Sequence, residues 1–182
     1  MRGSRAGFQG LRGTRSDKTP SVARKQRPTD PTVCERCGAV FRRKTWRSGP
    51  REFDLDLVRA ARGLCPACRQ MERCEFFGRI VLQGAYVAVH EHAIRCRIRN
   101  VADRARFTQP QRRVVAIRWE GAELEVLTTC EKLAHRIVRE LWKAFRGRVS
   151  YKWSDSDGKL FATWRRDDAE EASHGHAEDS GR

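Results

Sequence analysis

Four of the seven cysteines in this 182-residue chain fall into two short pairs, Cys34-Glu35-Arg36-Cys37 and Cys65-Pro66-Ala67-Cys68. Four thiolates spaced C-x-x-C … C-x-x-C can close a tetrahedral S₄ site, a geometry that suits Zn²⁺. Two intervening residues let the chain turn so that both sulfurs of a pair face one ion. Gly38 follows the first pair, where such a turn calls for a positive φ. A site of this kind is closed. Zinc held by Cys34, Cys37, Cys65 and Cys68 would stabilise a fold and present no open position to a substrate.

Other thiol chemistries fit less well. A rubredoxin-type iron site shares the glycine after the first pair and the proline inside the second, but Arg69 stands where its second glycine would be. A thioredoxin-type redox site needs one C-x-x-C at a helix start in a βαβ setting. Here there are two pairs, in or beside polar, turn-like sequence. Cys74 lies close enough to Cys68 to replace a ligand. The plainer reading makes Cys74, Cys96 and Cys130 small thiols of the folded body.

Nothing else in the chain assembles an active site. No Walker loop, dinucleotide fingerprint or G-x-S-x-G elbow is present. His90 and His92 flank Glu91 within a helical pattern, and residues two apart point to different sides of a helix, so they chelate poorly. The sequence makes no positive case for an enzyme or for a small-molecule substrate.

Composition bears on partners. Lys and Arg number 38 against 23 Asp and Glu, a net charge of +15. A charge of that size points to a polyanion, most often RNA or DNA. Hydrophobic residues make up 39% and charged residues 34%, which predicts that part of the chain is disordered. No apolar run is long enough to span a membrane, and no basic amphipathic anchor stands out. The odd cysteine count and the absence of a secretory signal point to the reducing cytoplasm.

These chemical residues sit on a readable series of segments. Residues 1–30 form a basic tail rich in Gly, Ser and Pro, expected to be disordered. Residues 31–74 form a zinc-ribbon module. After its first cysteine pair, Arg42, Arg43, Lys44 and Arg47 interleave with Phe41 and Trp46. Cations beside rings suit a nucleic-acid surface, while the two rings also suit the small core a metal module needs. Residues 53–62 read as a short helix that Gly63 ends.

The body, residues 75–166, alternates element signals. Strands are expected at 77–83, 113–119, 123–127, 149–153 and 160–164. Helices are expected at 85–107 and after Thr128, where Thr128 and Glu131 form a capping-box pattern and Leu133, Ile137, Val138, Leu141 and Phe145 share one face. The order β-α-β-β-α-β plus one strand gives an α+β, ferredoxin-like body, its extra strand paired as a hairpin with the fourth. In such a sheet Val149, Tyr151 and Trp153 would pack beneath the second helix. Lys152, with Arg112 and Arg118, would then line the open face as an RNA-facing surface. Residues 167–182 form an acidic tail that reads as disordered.

The stretch Thr128-Thr-Cys-Glu-Lys-Leu-Ala-His-Arg-Ile137, with Phe145-Arg-Gly147 and Tyr151-Lys-Trp153-Ser, resembles bacterial relatives of the Nmd-three family, which includes the eukaryotic adapter for export of the large ribosomal subunit. The likeness covers about residues 30–166. Eukaryotic and archaeal members carry more C-x-x-C pairs than the two seen here and are longer. The resemblance implies a zinc-bound protein that contacts rRNA or ribosomes, and it does not carry export over to this chain. Two other functions fit the same residues: a zinc-ribbon adapter that docks on a protein of the transcription machinery, and a thiol-based redox or zinc sensor.

Overall fold

The computed structural model describes residues 28–49, 59–154 and 156–167. The expected tails, apart from residues 28–30 and 167, and residues 53–58 of the expected helix lie outside them. Where that helix and its glycine stop were expected to end, the chain is instead extended: Ala61–Gly63 forms a strand. At Ala61–Gly63, pairing with a neighbouring strand overrides the helical pattern.

The metal module comprises β1 (Thr32–Cys34), β2 (Val40–Arg42), β3 (Thr45–Arg47), β4 (Ala61–Gly63) and helix α1 (Pro66–Glu72). Its sheet has the order β3-β2-β1-β4, with β4 parallel to β1. Arg43 and Lys44 turn the β2–β3 hairpin, both with positive φ, as a two-residue turn between twisted strands requires. The Asp30 carboxylate accepts the Arg43 backbone N–H at 2.7 Å. Trp46 is buried and Phe41 half-buried, their ring centroids 5.4 Å apart. Both rings thus belong to the small core that surrounds the cysteines.

The body contains β5 (Gly78–Gln83), α2 (Ala85–Val89), α3 (Glu91–Thr108), β6 (Val114–Glu120), β7 (Glu123–Thr128), α4 (Glu131–Phe145), β8 (Arg148–Trp153) and β9 (Leu160–Arg165). The single helix expected over 85–107 is two, divided at His90. Both cover one side of a mixed five-stranded sheet, order β6-β7-β5-β9-β8. Ile80 and Leu82 of β5, Leu124 and Val126 of β7 and Leu160, Ala162 and Trp164 of β9 meet Ile94, Ile98, Val101 and Ala105 of α3 and Leu133, Ile137, Val138 and Leu141 of α4 in one core. Helix α4 lies close on the sheet at Gly78, where an added Cβ would come within 2.4 Å of the Ala134 Cβ.

The strand order departs from a plain ferredoxin-like sheet. There, the strand after the second helix would lie beside the first strand. Here β9 takes that place, parallel to β5, and β8 is displaced to the edge as the antiparallel partner of β9. The residue patterns explain the exchange. Strand β9 offers Leu160, Ala162 and Trp164 to the core, all buried, whereas β8 carries Arg148, Ser150 and Lys152 on its other side. A strand with charges suits an edge.

This placement corrects the expected burial of β8. Val149 packs against the core, and Tyr151 and Trp153 do lie on the helix side, but both are exposed. Trp164 of β9 fills the buried position instead, its indole N–H donating to the Arg146 carbonyl at 2.7 Å. The capping box at Thr128 does not form either. Thr128 ends β7, its hydroxyl donates to the Cys130 carbonyl at 2.8 Å, and Cys130 is the residue that precedes α4.

Candidate metal centre

The first cysteine pair is built on a tight turn between β1 and β2. Cys34 ends β1, the Gly38 N–H donates to the Cys34 carbonyl at 2.8 Å, and Gly38 adopts φ +70°. The second pair is held differently. Cys65 precedes α1, Pro66 opens that helix, and Cys68 sits in its first turn. A ribbon would hold its metal between two such turns; this chain uses one turn and one helix start. The surroundings of the second pair are therefore helical, contrary to their turn-like sequence.

The elements bring all four sulfurs together. Cys34, Cys37, Cys65 and Cys68 place their Sγ atoms within 4.8 Å of one another, and Cys74, although exposed nearby in sequence, is not among them. Cys34 and Cys68 Sγ are 3.7 Å apart, as are those of Cys37 and Cys65. A tetrahedral site with metal–sulfur bonds of about 2.3 Å has sulfur–sulfur edges of about 3.8 Å. Disulfide sulfurs would be about 2.05 Å apart. The spacing fits a four-cysteine metal site.

Backbone donors and burial act on these sulfurs in opposite senses. The Cys65 N–H donates to Cys34 Sγ at 3.3 Å and the Cys68 N–H to Cys65 Sγ at 3.5 Å. Burial pushes the Cys65 thiol well up and the Cys68 thiol up to about 11. Burial acts on Cys34 in the same sense, but backbone N–H donors from Cys65, Cys37 and Arg36 outweigh it and hold that thiol at about 6.

The remaining contact comes from the body. Arg113 precedes β6, is buried, and directs Nη1 to Cys68 Sγ at 3.5 Å. Its Nε donates to the Pro110 carbonyl at 2.7 Å, and its backbone N–H donates to the Thr129 hydroxyl at 2.9 Å. Burial works against its charge, but the sulfurs of Cys37, Cys68 and Cys65 outweigh that and raise its pKa. Sequence reasoning missed this residue. It is far from the cysteines along the chain and no local pattern marks it. A second tie is the Ser48 hydroxyl, which donates to the Phe107 carbonyl at 3.1 Å.

Comparisons with protein-family models, curated proteins and solved structures find no match to this chain.

The expected nucleic-acid contacts do not form one surface. Arg42, Arg43, Lys44 and Arg47 are exposed together on the β2–β3 hairpin. Arg112 precedes β6 and lines a cavity of about 260 Å³ with Met71, Arg99 and Arg106, so it is not on the open side of the sheet. Arg118 does lie on that side, but ion pairs to Glu125 and Glu120 occupy it, and Arg79 pairs with the same buried Glu125. Lys152 is exposed on β8, the opposite sheet edge from the Arg118 strand. Four strand spacings separate the two edges, about 19 Å.

Among the described residues, the histidines do not form a site. His90 stacks on Tyr86, while His92 Nε2 lies 3.5 Å from Cys96 Sγ. No helix among the described residues is long and apolar enough to cross a membrane.

Proposed function

We propose that this chain is a non-enzymatic, zinc-bound protein of the cytoplasm that binds RNA, with rRNA in the large ribosomal subunit as its target. The four sulfurs at tetrahedral-edge spacing carry the metal part of this reading. Zinc is favoured over iron because Cys68 runs into a helix and lacks the second glycine turn of a rubredoxin site. The RNA part is supported by the net charge of +15 and by the exposed Arg42, Arg43, Lys44 and Arg47, which the metal module holds on one hairpin. The resemblance to the Nmd-three family supports the ribosomal target. Bound zinc here would fix the module's shape, with no part in any reaction.

The test measures RNA affinity across a series of salt concentrations. Neutralised phosphates release counterions, so log K falls linearly with log salt. Replacing Arg42, Arg43, Lys44 and Arg47 by Ala should flatten that slope. An unchanged slope would remove the hairpin from the interface, and absence of RNA binding at low salt would overturn the reading. Sedimentation of lysate on a sucrose gradient then distinguishes ribosomal RNA from other RNA.

A further inference from the structure

Strand β8 and helix α4 display an aromatic surface that the metal module does not supply. Tyr151 is 41% exposed, Trp153 53% and Trp142 44%. Tyr151 and Trp153 project from the helix side of β8 beside α4, and the rings of Tyr151 and His135 are 5.1 Å apart. His135, Arg139 and Trp142 recur along α4 at the spacing that places residues along one side of a helix. His135 and Trp142 are therefore about 10 Å apart along its axis. The Arg146 guanidinium lies 5.4 Å from the centroid of the Trp142 ring. These three α4 residues are exposed, as is Arg146, which follows the helix with φ +57°.

We infer that this surface, formed by Tyr151 and Trp153 of β8, by His135, Arg139 and Trp142 of α4 and by Arg146 just beyond that helix, binds single-stranded RNA by stacking unpaired bases on its rings. The inference rests on the RNA-binding reading above and names the surface and the strandedness. Large rings left in water at an edge strand, flanked by cations, match the two needs of a single strand: a π-face for each base and positive charge along the phosphates. Unpaired bases are required because a duplex keeps its base faces stacked inside, out of reach of Trp and Tyr.

Charge also argues against the other occupants. The open side of the sheet is neutralised around Glu125 by Arg79 and Arg118, which leaves it less suited to phosphates. A second copy pairing edge to edge along β8 would bring together strands that each carry Arg148 and Lys152. Like charges across such a seam disfavour it.

The experiment compares binding of a short labelled oligouridylate, an abasic ribose-phosphate oligomer of equal length and an RNA duplex. Wild type is set against the Tyr151→Ala/Trp153→Ala double variant, each checked for melting temperature and for sedimentation as a monomer. The expected result is a loss of about tenfold or more in oligouridylate affinity, the effect of losing stacked bases, with the salt slope and melting temperature unchanged. The abasic oligomer should bind both proteins alike. Equal oligouridylate binding by the two proteins overturns the surface while leaving the RNA reading intact. No RNA binding by wild type overturns both. A loss equally large for the duplex overturns the single-strand claim. A wild-type dimer that the double variant disperses assigns the surface to a second copy and overturns the proposal.

Discussion

The Arg113 guanidinium, anchored in the body, reaches 3.5 Å from the sulfur of Cys68 in the metal module. Four thiolates around a divalent ion would carry a net charge of about −2. A buried cation beside them would offset part of that charge where water cannot, so Arg113 would join two parts of the chain through electrostatics and tune the site as an outer-shell partner does.

Arg113→Ala should therefore weaken metal retention by about 10- to 100-fold, the usual effect of losing such a partner. Competition against a chromogenic chelator reads this directly. Arg113→Lys should recover part of the loss, because it restores charge without the planar fork. Retention equal to wild type in Arg113→Ala would show the contact to be incidental.

Metal removal should act on one part of the molecule. The core around the cysteines contains few residues besides the ligands, whereas the body has its own large core. Chelation, or Cys34→Ser, should unfold the module and leave most body amides protected from hydrogen exchange. Elemental analysis of protein as purified should give about one equivalent of zinc, as a single four-cysteine site requires. Iron, or loss of protection throughout the body on chelation, would contradict this picture.

Loading should also release protons. At neutral pH the raised Cys65 and Cys68 thiols hold theirs, while Cys34, held near 6, is mostly ionised already. Metal must displace the protons on Cys65 and Cys68, so affinity should rise with pH through the neutral range and fall on acidification. Calorimetric titration of the metal in buffers of different ionisation enthalpy counts those protons. A heat independent of buffer would refute the prediction.

Two tryptophans should behave oppositely. Trp164 is fully buried and hydrogen-bonded, and Trp153 is exposed. Trp164→Ala should cost about 3–5 kcal/mol, as truncation of a core aromatic does. Trp153→Ala should change stability by under about 0.5 kcal/mol, as surface substitutions usually do. Urea unfolding of both variants decides the matter, and similar midpoints would mean that the burial of the two strands has been misjudged.

Much of this was legible beforehand, for identifiable reasons. The cysteine spacing specifies a shared site because two intervening residues constrain the sulfurs locally, and the structure brings those same four together. The body's strands and helices follow from periodicity in single segments, such as Ile80 and Leu82 or Leu133, Ile137 and Leu141. What escaped depends on long-range pairing. Whether β8 or β9 lies beside β5 is settled by competition between two strands for one partner, and the burial of Trp153 turned on that outcome. Likewise, Ala61–Gly63 is a strand only because β1 offers an edge, and Arg113 matters only because folding carries it to Cys68.

The interior position of β9, between β5 and β8, sets the order in which a growing chain can fold. Strand β8 emerges from the ribosome before β9, the strand that joins it to the sheet, and β5, made much earlier, must wait for the same partner. Until residue 165 is free, α4 covers a sheet that lacks the Trp164 side of its core. The body should thus remain incomplete through most of its synthesis and close in one late step, with its early strands exposed to chaperones in the interval.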